Sequence, residues 1–302
     1  MDASVHTSTE SLGRDFALCA LAYGAAGVVA LIIGYTTYAL SDGHPILVAA
    51  VADLAATLVV FTFSTVFRNS SFYDPYWSVA PVVIAVYWAA APTVVGVDIV
   101  RQLLVVLLVV WWAVRLTYNW ARRWEGLSHE DWRYVDFRKQ YGSLYWLIDI
   151  SGIHLFPTVM VFLGCLSLYP ALSSGARTVG TLDILAGAVT AAAITIETIA
   201  DQQLWRFLNG PREPGAILST GLWAYSRHPN YFGEILFWWG LFLFGVAADP
   251  AYWWTVVGPV AMVLMFVLAS VPMIDRRSLE RRPGYAEHMA EVSAIVPWFP
   301  KR

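Results

Sequence analysis

The residues from Gly221 to Gly240, GLWAYSRHPNYFGEILFWWG, place Arg227, His228, Asn230 and Glu234 directly against tryptophan, phenylalanine and leucine. Pro229 fixes the backbone at the junction and lacks an N–H that a helix start would leave unused anyway. The spacing therefore predicts a turn through Tyr225, Arg227, His228 and Asn230 that opens an apolar helix, with Glu234 one turn inside it. Free backbone N–H groups, the positive end of the helix dipole and an adjacent Arg and His make such a start suited to an anionic ligand. The plainer reading is a helix end marked by a basic residue at a membrane surface.

The rest of the chain supports a membrane setting. Of its 302 residues 58% are hydrophobic and 14% charged, and the mean hydropathy is +0.56. A spanning helix needs about 20 mainly apolar residues. Eight stretches qualify: 16–40, 46–67, 77–95, 99–118, 153–172, 182–202, 231–248 and 252–274. The fold expected is all-α, a polytopic integral membrane bundle of about eight transmembrane helices. The number falls to seven if the third stretch, interrupted by Pro81 and Pro92, or the short seventh does not cross.

With all eight crossing, 17 of the 19 Lys and Arg residues share one side and only Arg101 and Arg177 stand opposite. By the positive-inside rule both termini are then cytoplasmic. The first fifteen residues carry Asp2, Glu10 and Asp15, unlike a basic cleavable leader, so the first apolar segment is expected to stay. Cys19 and Cys165 both fall inside spans, which argues for packing and against a disulfide or a cysteine-built metal site. The six histidines are scattered singly, and no metal site is expected. A net charge of −3 gives no reason to expect nucleic acid.

No low-complexity linker or internal repeat divides the chain, which reads as one membrane domain: four helices over 1–118, an interfacial segment over 119–152, and four helices with a tail over 153–302. Its polar residues gather in the two long cytoplasmic connections, 119–152 and 203–230, and in the tail after Ile274. Arg115, Tyr118 and Arg122 recur at helical spacing, either as a snorkelling belt at the headgroups or as a ligand-facing stripe. Glu197 and Asp201, four apart, share one face of the sixth span. Carboxylates at that depth face a polar cavity or a partner, and two of them suit hydrogen bonds from a ribose or an amide. Arg206 follows at the end of that span. In the tail, Arg276, Arg281 and Tyr285 follow the last span onto the same side, where they could close over a ligand or bind anionic lipid.

These motifs carry a resemblance. GLWAYSRHPNYFGEILFWWG, preceded by ETIADQQLWRF and followed by RRPGYAEHMAEVSAIVPWFP, together with NSSFYDPYW and WRYVDFRKQYG, resembles bacterial membrane proteins of the steroid 5-alpha-reductase superfamily, over roughly residue 69 to the C-terminus. The resemblance implies an NADPH-dependent reductase of a polarised carbon–carbon double bond in a steroid-like or other enone lipid, in a bacterial inner membrane. The cofactor would enter from the cytoplasm among the C-terminal helices, and the substrate from the bilayer into a cavity lined by the N-terminal ones.

Carried over residue by residue, Glu197 and Asp201 would contact nicotinamide and ribose. Asn230, Glu234 and Trp238 match the family's helix start at the cofactor, and Arg115, Arg122, Arg206 and Arg227 would hold phosphate. Tyr225, His228, Arg276 and Tyr285 complete the expected cofactor contacts. The better-known steroid reductases polarise the ketone with a second-span glutamate and a tyrosine, but this second span has only Asp53. Asp53 or Asp74, with Tyr73, Tyr76 or Tyr118, takes that role in the expectation. Isoprenylcysteine and phospholipid methyltransferases share the RHP-x-Y segment and bind S-adenosylmethionine. They tend to show paired glutamates after the last span, where Asp275, Arg276 and Arg277 stand here. A non-catalytic lipid-binding protein is the third reading.

Overall fold

The computed structural model of the chain describes residues 3–301, with side chains from Ser11 to Lys301. Asp2 and Arg302, and the side chains of His6 and Glu10, lie outside the described residues. Among the described residues the secondary structure is helical throughout, with no strand. The helices in order are α1 (Ala3–Leu40), α2 (Pro45–Phe67), α3 (Tyr76–Ala90), α4 (Ile99–Ala121), α5 (Trp132–Tyr141), α6 (Tyr145–Ile148), α7 (Phe156–Cys165), α8 (Thr181–Asn209), α9 (Pro229–Ala248), α10 (Val257–Met265), α11 (Val271–Arg281) and α12 (Tyr285–Glu291). Wider, π-helical turns join α6 to α7 at Asp149–Leu155 and α10 to α11 at Phe266–Ser270.

Seven helical runs are long and apolar enough to cross a bilayer: Ser11–Leu40, Pro45–Phe67, Ile99–Ala121, Trp132–Ser174, Thr181–Asn209, Pro229–Ala248 and Pro250–Arg281. The chain is an integral membrane protein by this criterion. The third apolar stretch is the one that falls short: α3 has 15 residues and ends at Ala90, ahead of Ala91-Pro92. The residue before a proline is pushed out of the helical region, which sets that limit. The seventh stretch, by contrast, forms the full 20-residue α9.

Cα packing separates two compact units, and the divisions fall inside helices. The first unit comprises residues up to Tyr87 together with Ala113–Phe162. In it α1 packs on α2 around Ala22, Ala26, Ala56 and Val60, all buried. Small side chains let helix backbones approach where lipid gives no hydrophobic drive. The NSSFYDPYW segment is a staple. Asn69 caps a 3₁₀ turn by accepting the Ser71 N–H at 2.9 Å, and its Nδ2 donates to the carbonyls of Leu127 and His129 at 2.9 and 3.0 Å. Its neighbours continue the seam: the Ser70 N–H donates to Glu130, and the Asp131 N–H to Ser71 Oγ. Asp131 in turn caps α5 by accepting the Arg133 N–H at 2.9 Å.

The second unit comprises Trp88–Trp112 and the residues from Leu163 onward. Its centre is the α8–α9 pair, held close by glycine. A Cβ on Gly233 would collide with Glu197 Cγ and stand 2.9 Å from the Ala193 carbonyl, and one on Gly240 would strike Thr190. One end of α8 is fixed by a buried ion pair that sequence reading did not foresee. Arg101 donates through Nε to Asp183 at 2.6 Å, and its Nη1 and Nη2 satisfy the carbonyls of Arg177 and Thr178. Asp183 also accepts the Gly180 N–H at the start of α8. A fully buried arginine is tolerable because carboxylate and carbonyl partners accept hydrogen bonds from its N–H groups.

Candidate functional site

The second unit holds the polar start of α9. Pro229 occupies the first helical position, as the sequence suggests, and His228 precedes it with non-helical backbone, but the His228 side chain does not cap the helix. Its Nε2 lies 3.0 Å from Asp275 Oδ1 on α11. The same carboxylate accepts from Arg227 Nη2 at 2.8 Å and from Tyr285 Oη at 2.7 Å. Arg227 Nη1 reaches the carbonyls of Val292 and Met289 at 2.6 and 3.2 Å. Burial and the bond to Asp275 push the Tyr285 hydroxyl up to about 12.

Asp275 is thus the hub of this cluster, and the backbone completes the knot. The Arg227 N–H donates to the Ser293 carbonyl, Ser226 Oγ to Ile295, and the Trp298 N–H to Tyr225. Arg227 and Tyr285, expected at a cofactor, here brace the α9 start against the tail. Their partner Asp275 was passed over because it sits in the basic run Asp275-Arg276-Arg277; its partners are 10 and 47–48 residues away.

One turn further, Glu234 accepts the indole N–H of Trp112 at 3.0 Å and of Trp238 at 2.9 Å, and all three side chains are buried. Trp238 therefore presents its N–H to Glu234. The neighbouring face of α8 supplies two more buried acids, Glu197 and Asp201. Asn230 Nδ2 lies 3.4 Å from Asp201 Oδ1, while the buried Asn230 Oδ1 accepts no hydrogen bond. A buried amide oxygen without a donor is uncommon, and a water or a ligand N–H or O–H would satisfy it.

The remaining cationic candidates of this unit are at the surface. Arg206 is exposed near the end of α8, and Arg276 is exposed and paired with Glu280 at 3.2 Å. Tyr225 is also exposed, edge-on to Phe299.

In the first unit the candidate acids each meet a tyrosine. Tyr76 Oη donates to Asp53 Oδ1 at 2.7 Å, and Tyr76 stacks between Tyr23 and Tyr73. Tyr73 Oη meets Thr158 Oγ1 at 2.8 Å, and Thr158 meets Thr57 Oγ1 at 2.9 Å. Sequence reading missed both threonines, which are single hydroxyls inside apolar runs. Asp74 makes a separate pair: Tyr134 Oη donates to it at 2.6 Å. Burial, opposed by Arg133 and by this bond, pushes the Asp74 carboxyl up to about 6.

Tyr118 belongs to neither pair. It is 64% exposed on α4, with the Arg122 guanidinium 5.6 Å above its ring. Arg122 donates to Asn119 Oδ1 at 2.7 Å. That is the belt geometry, and Tyr118 is not brought to a buried acid. Arg115 is half-buried one turn earlier.

An all-helical membrane protein with buried carboxylate–tyrosine and carboxylate–amide groups is the class these features define. The chain belongs to the family described as protein of unknown function DUF1295, whose model matches residues 60–292. That stretch includes Asp74, Glu197, Asp201, Asn230, Glu234, Asp275 and Tyr285, and begins after Asp53. An uncharacterized protein of Schizosaccharomyces pombe is 26% identical over 277 residues, covering 84% of this chain and 80% of its own. No solved structure matches the chain.

Proposed function

We propose that the protein is an NADPH-dependent reductase of a polarised carbon–carbon double bond in a steroid-like or other enone lipid, of the steroid 5-alpha-reductase kind, with its cofactor site on the cytoplasmic side of a bacterial inner membrane. The observation that carries this reading is the acid and amide group on α8 and α9. Asn230 Oδ1 is a buried acceptor lacking a donor, and Asp201 stands beside it. Those atoms fit the amide and hydroxyl donors of a nicotinamide riboside. Phosphate contacts fall to Arg206 and Arg276, because Asp275 and two carbonyls occupy Arg227.

NADPH, when bound, supplies the hydride. The chain's own contribution is to polarise the substrate carbonyl and return a proton. Asp53 fixes the orientation of the Tyr76 hydroxyl. When Asp53 carries a proton it donates to Tyr76 Oη, leaving the phenolic proton for a carbonyl oxygen on which negative charge develops. The aromatic surroundings of Tyr76 exclude water, which strengthens that hydrogen bond.

The test is thermal stability of the purified protein with NADPH, NADH and S-adenosylmethionine, since a ligand bound only by the folded form stabilises by about 2.7 kcal/mol at a hundred times its Kd. NADPH is expected to raise the midpoint, and a 3-oxo-Δ4 steroid to accelerate NADPH oxidation. Stabilisation by S-adenosylmethionine alone would replace this reading with a methyltransferase. No response to any of the three would leave a lipid-binding protein.

A further inference from the structure

The first unit contains a cavity that the reductase reading does not use. It encloses about 470 Å³ where α2 ends and the π-helical turn before α7 begins, and its walls include Ser64, Arg68, Arg138, Tyr145, Trp146 and Asp149. Asp149 is 4% exposed, and its Oδ1 accepts no hydrogen bond. The reason is local. His154 Nδ1 lies 2.9 Å from the Asp149 carbonyl, which can only accept, so that nitrogen carries a proton directed at the backbone, although Oδ1 is 3.1 Å away. His154 Nε2 is tied to Ser64 Oγ at 3.0 Å. Histidine and serine thus fix the acid in place while leaving a carboxylate oxygen without a hydrogen-bond donor.

The cavity also has a cationic side. Arg68, in left-handed conformation at φ 53, closes α2, and its guanidinium makes no ion pair among the described residues. Arg138 lies over the Tyr145 ring at 4.1 Å and pairs with Glu130 at 2.8 Å. Opposite charges within one cavity call for a ligand that carries both. Around the opening, Val66, Phe67, Leu144, Trp146 and Leu147 are exposed. An apolar fringe at the end of a 23-residue span suits acyl chains and has no use for a water-soluble ligand.

We infer that this cavity binds the headgroup of a phospholipid bearing a primary amine, with phosphate at Arg68 and Arg138 and ammonium at Asp149. Guanidinium groups match phosphate oxygens in geometry as well as charge. The ammonium supplies the N–H that Asp149 Oδ1 lacks, and the Trp146 ring favours a cation beside it. A trimethylated amine would bring charge but no N–H donor, so ethanolamine is preferred to choline.

Native mass spectrometry of the full chain, released from detergent with phosphatidylethanolamine, phosphatidylcholine or phosphatidylglycerol of the same acyl composition, tests this. One phosphatidylethanolamine per chain is expected to survive, favoured at least tenfold over either other lipid. Arg68→Glu, at an exposed position, is expected to weaken retention at least tenfold while leaving any NADPH-induced thermal shift unchanged. Asp149→Asn is expected to abolish the preference for ethanolamine over choline while a lipid is still retained. Equal retention of choline and ethanolamine lipids by the unmodified chain, or unaltered retention by Arg68→Glu, overturns the inference. Displacement of the lipid by soluble phosphoethanolamine at equal concentration also overturns it, in favour of a small soluble phosphate compound.

Discussion

Arg227 and Asp275, 48 residues apart in the chain, meet at 2.8 Å with both side chains buried. Removing one member of such a pair leaves an uncompensated buried charge, which costs about 3–5 kcal/mol. Asp275→Ala is expected to lower the thermal midpoint sharply. Tyr285→Phe deletes one donor to the same carboxylate and should cost about 1–3 kcal/mol. Parallel melts of the two variants check the order; a milder effect from Asp275→Ala would show that the cluster is not held by its carboxylate.

The Asp53–Tyr76 pair makes a different prediction, because the proposed reaction draws its proton from Tyr76. Tyr76→Phe keeps the ring stack and removes the hydroxyl. We expect the folded protein to survive with an unchanged NADPH shift while enone-dependent NADPH oxidation falls at least 100-fold, within the usual range for a positioned proton donor. Tyr118→Phe, at the exposed belt position, is expected to leave the rate intact.

Asn230→Ala and Asp201→Asn address the proposed cofactor site. Each is expected to shrink the NADPH-induced midpoint shift by an amount equal to about a tenfold loss of affinity, or 1.4 kcal/mol. Isothermal titration in detergent measures it. Retention of wild-type affinity by both would place the cofactor elsewhere.

Asp74 gives a pH signature. Its carboxyl rises to about 6 in the folded protein, above the usual value near 3.9. The protonated form is therefore favoured by folding. The associated stability is complete below about pH 4 and is lost as pH rises through about 6, by on the order of 2–3 kcal/mol in all. Asp74→Asn, which retains an acceptor for Tyr134, is expected to flatten the melting profile between those limits. A profile identical to the parent's would remove Asp74 from the account.

Both termini are expected to lie in the cytoplasm. The charge split that supports this needs α3 to cross, yet 15 residues span only about 22 Å of a core about 30 Å thick. Local thinning or the non-helical residues after Ala90 would have to complete the passage. Single cysteines at Ser11 and Lys301 are expected to react with an impermeant thiol reagent only after the membrane is opened, since native Cys19 and Cys165 are buried. Reaction of just one from outside would make the crossings odd in number.

Hydropathy alone carried most of the architecture into view, since every long apolar run folded as a helix. The start of α9 was legible because proline and the polar cluster act locally, and the Glu197/Asp201 face because four residues make about one helical turn. What stayed hidden depends on distant partners. Asp53 and Tyr76 were both visible, but their pairing relies on α2 and α3 meeting 23 residues apart. Asp74 finds Tyr134 only because Asn69 stitches two loops together. Asp183 is an unremarkable carboxylate until Arg101 arrives from 82 residues away.

The seam between Tyr225–His228 and the carbonyls and amides of residues 289–298 has a consequence for biogenesis. The entry of α9 emerges from the ribosome some sixty residues before the segment that clamps it. Until residue 275 is made Arg227 and His228 lack their shared carboxylate, and until residues 289–293 follow they lack the backbone partners that complete the knot. A chain ending between Arg281 and Met289 would hold every apolar run and Asp275 while lacking the carbonyls and amides that latch the entrance of α9.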